Sequence, residues 1–470
     1  MKSKSKKKSL IDRPKELLEL IGDLLKPKQE EKQKFGEVFT PLNLITNLLN
    51  KLPKKIWKNP DLKWFDPAGG MGNFQIIIYQ KLMKGLTKII LDEKERKKHI
   101  LENMIYYAEI NQKNVFIYKQ IFDVKNEFKL NVYHGDTLIL DIEDYFKIKK
   151  FDIIVGNPPY NSGGIRSHTG KRLGEKNITL WPKFVELVFS CSVKNGYLVF
   201  ITPLSWLKLS HSCHQLLCKK QVKWLELWDN SKSKSEINAD IPISQYCLKN
   251  VNNMKKKKTT IKIISTRGKI SKIDKVYLNP DYSIPLAYHT IFEKIRVFLE
   301  ENPEFKIDVK TKTVKSEGKQ TKILKKIERK DLWGIDTYRL KDGYFVKKMK
   351  EKHPDMNKPK LIIANKCSFA GCLIDKKGKL GLTGSDKSYI LGDKFEILKQ
   401  FLEKTKICYI ISRYTKYRQD FLEKDAFQYI IDVRKIPKKK LSEISDEGIG
   451  KLIGLDDEEM KELYVKKSKK

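Results

Sequence analysis

One tetrapeptide in the first half of the chain carries side chains suited to chemistry on a planar amine. Asn157-Pro158-Pro159-Tyr160 follows the apolar run Phe151-Asp152-Ile153-Ile154-Val155 and Gly156. Two consecutive prolines fix the backbone and remove two amide donors. What remains at the strand tip is a pair of acceptors, the Asn157 side-chain oxygen and the Pro158 carbonyl, with an aromatic ring beside them. Two acceptors can take both N–H bonds of an exocyclic amine while Tyr160 stacks on the ring that bears it. An ordinary proline-rich loop after a strand would read the same, so the surrounding segments have to decide.

Three segments upstream share that design. Trp64-Phe65-Asp66-Pro67-Ala68-Gly69-Gly70-Met71-Gly72-Asn73-Phe74 reads as a short strand, a glycine-rich turn and the start of a helix. Glycines in such a turn let the backbone approach a ligand closely. About forty residues on, Ile105-Tyr106-Tyr107-Ala108-Glu109 ends a second strand on an acid, and a carboxylate there can accept both hydroxyls of a ribose. A third strand, 130–133, runs into His134-Gly135-Asp136 and places another carboxylate at a strand end. In open α/β sheets these carboxyl-end positions line the ligand crevice.

Positioning such groups requires a parallel sheet. From Phe35 to about Asn250, short apolar runs (Trp64-Phe65, 104–108, 151–155, 197–201) alternate with helix-like stretches such as 74–82 and 181–189. That alternation predicts an α/β fold, its sheet covered on both faces. The lysine run after Asn253 suggests a boundary. The reading divides the chain into a basic arm with a short helix (1–34, helix near 14–25), a catalytic domain (35–252), a second, mixed α/β domain (258–460) and a basic tail (461–470). Strands at Lys360–Ala364 and 429–433 and a helix at 399–411 are expected in the second domain.

The ordered segments resemble the amino-methyltransferases that act on adenine N6 or cytosine N4, and among them the gamma-ordered, TaqI-like enzymes of restriction–modification systems. Gly36-Glu37-Val38-Phe39-Thr40-Pro41 resembles motif X, which in that branch precedes the glycine-rich motif I at 66–74. Glu109 falls at motif II, Asp136 at motif III and Asn157–Tyr160 at motif IV. The resemblance covers residues 34–250 well and the remainder loosely. It implies a Rossmann-like sheet that binds S-adenosyl-L-methionine, followed by a target-recognition domain. Thr40 and Pro41 would hold the methionine end of that cofactor. Asp66, Ala68, Gly69, Gly72, Asn73 and Phe74 would form its cradle, with Asn157 adjoining. Glu109 would bind the ribose and Asp136 the adenine amine. Asn157, Pro158 and Tyr160 would be catalytic, acting on an adenine flipped out of duplex DNA. Asparagine at the first motif IV position favours adenine over cytosine. No metal is needed.

Two departures stand out: Met71 occupies a position that is small in most relatives, and the stretch 230–241, where relatives often place a second aromatic, has none. Trp228 just upstream is the nearest substitute. In the second domain, the stretch from Tyr409 to Tyr417, with Arg413, Lys416 and Arg418, mixes aromatics and cations suited to phosphate or base contacts.

Composition agrees with a nucleic-acid partner. Ninety-six Lys and Arg against 58 Asp and Glu give a formal charge of +38, a field that attracts polyanions. A Lys-rich codon bias accounts for part of the lysine count, though not for the shortfall of acids. No apolar run approaches the length of a spanning helix, and the basic start lacks the apolar core of a secretory signal. Seven cysteines, odd in number and unevenly spaced, suit reduced thiols in the cytoplasm of a prokaryote or virus-infected cell, a nucleus being open if the host is eukaryotic. His211-Ser212-Cys213-His214 with Cys218 lacks a second ligand pair at zinc-finger spacing.

Alternatives stay open. Asn-Pro-Pro-Tyr also serves RNA and protein-glutamine methyltransferases, against which motif X and the basic C-terminal half argue. Pro280-Asp281 with Glu304-Phe305-Lys306 resembles a nuclease metal site, but Glu-x-Lys recurs at 95–97, 317–319 and 328–330. The expectation is a monomer on DNA, with a separate cognate endonuclease left open.

Overall fold

The computed structural model describes residues 9–13, 16–17, 39–162, 178–264, 272–322, 332–365, 369, 371–417, 422, 424–437 and 444–464. Nearly all of the helix expected at 14–25, residues 36–38 of motif X, Cys367, Arg418 and the basic tail lie outside the described residues. The chain divides into two compact units, residues 1–206 with 212–278 and residues 207–211 with 279–470.

In the first unit, nine strands form one sheet. In chain order they are β1 (Trp64–Asp66), β2 (Ile105–Glu109), β3 (Asn131–His134), β4 (Phe151–Gly156), β5 (Ser192–Pro203), β6 (Lys220–Trp228), β7 (Ile243–Asn252), β8 (Thr259–Ile264) and β9 (Lys272–Val276). Across the sheet the order is β9-β8-β6-β7-β5-β4-β1-β2-β3. Strands β1 to β6 and β8 run parallel, and β7 and β9 run against them. This is the mostly parallel α/β sheet expected from the alternating pattern, in the Rossmann-like form that the family resemblance implied.

The chain moves outward from β1 through β2 to β3, then returns to β1's other side as β4. That reversal opens a crevice at the carboxyl ends of β1 and β4. Helices α1 (Leu42–Leu49), α2 (Asn73–Gly85), α3 (Gln112–Phe122), α4 (Trp181–Ser190), α5 (Ser212–Cys218) and α6 (Asn230–Ile237) complete this outline of the unit.

The central strands are fully buried, as sandwiched parallel strands must be. Phe65 of β1 stacks on Phe151 of β4 with centroids 4.4 Å apart, Phe146 meets Phe65 edge-on, and Tyr106 lies tilted against Phe151. Each such pair contributes about 0.5–1.5 kcal/mol beyond its buried area. This core lies beneath the strand ends that carry the polar residues and holds their spacing.

The lysine run after Asn253 is not a boundary. It joins β7 to β8, which pairs in parallel with β6, and the division falls instead between Leu278 and Asn279. The apolar alternation of Thr259–Ile264 was masked by its lysine-rich flank.

Among its described residues the second unit has two sheets. One contains β10 (Ser316–Lys322), β11 (Trp333–Arg339), β12 (Gly343–Met349) and β15 (Leu380–Leu382), in the order β10-β12-β11-β15. The other contains β13 (Lys360–Ala364), β14 (Cys372–Asp375) and β16 (Lys387–Leu391), in the order β14-β13-β16. Ile335, Val346, Ile362, Leu382 and Tyr389 form a core shared by the two sheets. Lys360 is fully buried, its Nζ donating to the Leu380 carbonyl at 3.1 Å and lying 3.6 Å from Asp375, as a desolvated cation requires.

Helices α7 (His289–Glu301), α8 (Phe395–Lys404) and α9 (Lys406–Tyr414) belong to the same unit. The single helix expected at 399–411 is two helices. Thr405 is extended and its hydroxyl caps the Cys408 amide, so a new helix starts there. The strand expected at 429–433 is absent: 3-10 turns occupy Lys424–Tyr429 and Val433–Lys435, and Ile431 makes one isolated bridge to Lys306. Asp432 caps the Arg434 amide and binds its guanidinium at 2.7 Å, which holds the chain in the turn.

Candidate active site

Four neighbouring strand ends gather the expected residues. Asp66 and Glu109 are the last residues of β1 and β2, Asp136 follows β3, and Asn157 follows β4. They share the carboxyl edge of the parallel strands, the edge on which β1 and β4 diverge.

Glu109 organises the glycine turn. One of its carboxylate oxygens accepts the Gly70 amide at 2.9 Å and the other the Asn111 amide at 2.8 Å. The Gly69 amide is bound by the Ala108 carbonyl at 3.0 Å. A Cβ on Gly69 would stand 2.4 Å from the Tyr107 ring, which stacks on Tyr118 with centroids 4.1 Å apart. Gly72 has φ of +90°, and a Cβ there would meet Tyr118 at 2.7 Å. Both positions therefore require glycine. Gly70, with φ of +54°, faces open space, and a ligand can approach the backbone at that point. Phe74, in the first turn of α2, is buried.

Asp66 is buried beneath the turn, accepting the Ala68 amide and the Gln75 side-chain amide, each at 3.1 Å. A Cβ on Gly156 would lie 3.0 Å from its carboxylate, so β4 passes close beside it. Burial pushes the Asp66 carboxyl up to about 7, the two hydrogen bonds oppose the rise, and the Glu109 charge adds to it. Its folded-state value is raised, so its stability contribution is complete below about pH 4 and is lost as pH rises through about 7. The melting temperature of the ligand-free wild type should therefore drop more between about pH 5 and pH 8 than that of Asp66→Asn, whose amide cannot ionise. Equal slopes would contradict this.

Asp136 is exposed, and one of its oxygens caps the Leu138 amide at 3.0 Å. Thr137 beside it donates to the Pro67 carbonyl at 2.7 Å, tying this strand end to the glycine turn.

Asn157 is held from the other side. Its Nδ2 donates to the Thr40 hydroxyl at 3.1 Å, while its Oδ1 is buried and accepts no hydrogen bond from the described residues. Thr40 is itself buried, and its carbonyl accepts the Asn73 side-chain amide at 3.0 Å. Asn73 Oδ1 is likewise buried and unpartnered. Pro41 sits at the cap of α1 with φ of −62°. Pro158 is buried, and the Tyr160 carbonyl accepts the Leu180 amide at 3.1 Å. The Tyr160 ring is buried and its hydroxyl has no hydrogen bond of normal geometry. Burial raises the affinity of that hydroxyl for its proton, and the nearby Asn157 side chain tempers the effect. The Tyr160 hydroxyl is neutral at about pH 7.

Two exposed apolar side chains stand near these acids. Ile110 directly follows Glu109 and is 50% exposed, and Ile139 lies three residues beyond Asp136 and is 80% exposed. Trp228, the nearest substitute for a second aromatic, has its indole engaged within the fold. It is buried, and its indole N–H donates to Glu226 at 2.7 Å. The stretch after it is helix α6, capped by Asp229.

His214 is buried with Nδ1 2.9 Å from the Trp206 carbonyl. Among the described residues, no three His, Cys, Asp or Glu side chains are grouped to hold a metal. Six cysteines are buried free thiols.

A Rossmann-like sheet with a glycine turn, three acids at strand ends and an Asn-Pro-Pro-Tyr tip forms a crevice of the methyltransferase type. Residues 43–234 match the family described as Eco57I restriction-modification methylase. A relative from Mycoplasma pneumoniae, named as an uncharacterized adenine-specific methylase, is 28% identical over 323 residues, covering 51% of this chain and 72% of its own. Among solved structures, the type IIL restriction-modification enzyme MmeI bound to DNA is 12% identical, with 93% of this chain and 80% of that one covered and a TM-score of 0.49. A type I methyltransferase subunit from Streptococcus thermophilus is 16% identical, with coverage of 53% and 52% and a TM-score of 0.36. The chain spans about half the length of the type I modification subunits it matches.

Proposed function

We propose that the protein is a site-specific DNA methyltransferase that methylates the N6 amine of an adenine flipped out of duplex DNA. The observation that carries this reading is the Asn157 carboxamide, whose nitrogen is engaged by Thr40 while its buried oxygen is left without a partner. Such an oxygen, with the Pro158 carbonyl, suits an amine that brings two N–H donors. The name of the Mycoplasma relative and the family match over 43–234 favour adenine in DNA.

The residues present fit S-adenosyl-L-methionine. The unpartnered Asn73 oxygen suits an ammonium donor, Glu109 suits ribose hydroxyls, and the exposed Asp136 carboxylate suits an adenine amine. When bound, this cofactor supplies an electrophilic methyl group on a sulfonium.

The chain's part is positioning and oriented dipoles. An exocyclic amine is a weak nucleophile because its lone pair is spread into the ring. Acceptors at Asn157 and Pro158 draw its two hydrogens to one side and favour a tetrahedral nitrogen with a directed lone pair. Tyr160 stacks on the base and offsets the stacking lost on leaving the duplex. No metal takes part in this reading, which follows the gamma-type order of motifs, with Thr40 ahead of the glycine turn.

The second unit serves as the target-recognition domain. Lys406, Tyr409 and Arg413 lie at helical spacing on α9 and are exposed together, whereas Tyr417 is buried against the Ile284 carbonyl. A formal charge of +38 suits a polyanionic partner. Arg413→Ala should weaken duplex binding by about 3- to 10-fold and flatten the slope of log affinity against log salt by about 1. An unchanged slope would remove Arg413 from the interface. The protein would act as a monomer on DNA in the cytoplasm, with any cognate endonuclease a separate chain. Among the described residues no helix is long and apolar enough to cross a membrane.

The reading is tested by incubating the full chain with labelled S-adenosylmethionine and unmethylated duplex DNA of mixed sequence. Label in DNA supports it. Label confined to RNA or protein overturns it.

A further inference from the structure

We propose that Thr40 is a positioning residue for Asn157: its hydroxyl accepts the Asn157 amide and thereby fixes the carboxamide with its oxygen turned to the target amine. This rests on the proposed function for the identity of that amine.

A carboxamide has two orientations of nearly equal shape that exchange an acceptor for two donors. One presents oxygen to an incoming amine, and the other presents N–H groups to N–H groups and repels it. Sterics do not choose between them, so a neighbouring polar atom must. Among the described residues the hydrogen bond of normal geometry made by the Asn157 side chain is to Thr40 Oγ1, at 3.1 Å from Nδ2, with the Tyr160 hydroxyl also near the carboxamide. With that bond made, Oδ1 is the atom left for a ligand, and it is buried without a partner.

Thr40 is well anchored for this task. It is 5% exposed, Pro41 follows it as the cap of α1, and its carbonyl holds the Asn73 side-chain amide at 3.0 Å. The same residue thus orients two asparagines by different atoms, its hydroxyl setting Asn157 and its carbonyl setting Asn73. Both asparagines keep a buried, open oxygen. The sequence places Thr40 and Asn157 117 positions apart, and the fold joins the segment before the glycine turn to the strand tip after it.

This arrangement gives a clean test. Thr40→Val keeps the shape and the carbonyl, so the Asn73 bond survives and only the grip on Asn157 is lost. Thr40→Ser restores the hydroxyl. Transfer of label to unmethylated phage DNA of mixed sequence is measured with the full chain at saturating S-adenosylmethionine. The expected result is that Thr40→Val lowers the saturated rate about 10-fold or more, and Thr40→Ser stays within about 3-fold of wild type. A hydroxyl that served the cofactor alone would raise KM for S-adenosylmethionine and leave the saturated rate unchanged, which would overturn the proposal.

A second readout needs no turnover. In ligand-free protein labelled with ¹⁵N-asparagine, with Asn157→Ala identifying the resonance, the Asn157 side-chain amide protons should exchange with water at least about 10-fold faster in Thr40→Val, because their acceptor is gone. Equal exchange would also overturn the proposal. If the wild type transfers no label to DNA, the proposed substrate fails, and the exchange measurement alone still decides the role of Thr40.

Discussion

Asn157→Ala should abolish methyl transfer while the cofactor still binds. The substitution removes the buried, unpartnered oxygen at the tip of β4 and leaves the glycine turn, Glu109 and Asp136 untouched. An oriented dipole that acts on charge developing in the transition state is worth about 10²–10³ in rate. Loss of the oxygen also leaves the target amine one acceptor short, so a fall of at least about 10³ in kcat is expected, with the dissociation constant for S-adenosylmethionine within about 3-fold. Single-turnover rates and calorimetry separate the two quantities. A variant with near-normal turnover would show that Asn157 is not the acceptor.

Glu109→Ala should fail in the opposite way, at binding. Its two carboxylate oxygens hold the Gly70 and Asn111 amides at 2.9 and 2.8 Å in a buried setting. Hydrogen bonds to a charged group contribute about 1.5–3 kcal/mol each. Removing the carboxylate frees the tip of the glycine turn and takes away the acceptor for ribose hydroxyls. Affinity for S-adenosylmethionine should fall about 100-fold or more, and the melting temperature should drop as well. Glu109→Gln, which keeps one acceptor oxygen, should lie between. Titration calorimetry of both variants checks this, and an unchanged affinity for Glu109→Ala would place the cofactor elsewhere.

The parallel core was legible because buried strands announce themselves. Phe151–Gly156 and Ile105–Glu109 are nearly continuous apolar runs; the second ends on Glu109, and the first is followed at once by Asn157. The glycine turn was legible for a similar reason, since Gly69 and Gly72 answer to the Tyr107 and Tyr118 rings. Long-range pairing was not legible. Nothing in the spacing of Thr40, Asn73 and Asn157 says that one residue orients the other two. Trp228 looked available for stacking because its neighbour Glu226, two residues back on the same face of β6, is recognisable as its partner only once the strand is formed.

In the second unit, local chemistry overrode the apolar pattern. Ile430 and Ile431 suggested a strand, but Asp432 captures Arg434 and turns the chain. Thr405 cut a continuous amphipathic stretch into two helices by capping the second. The strands at Thr259–Ile264 and Lys272–Val276 extend the first sheet past a lysine run that read as a linker.

The most direct test of the central claim identifies the atom that receives the methyl group. Unmethylated duplex DNA is incubated with the full chain and S-adenosylmethionine, digested to nucleosides and analysed by mass spectrometry, with Asn157→Ala in parallel. The account predicts N6-methyladenine from the wild type and none from the variant. N4-methylcytosine in place of N6-methyladenine, equal product from the variant, or methyl groups found only in RNA or protein would contradict it.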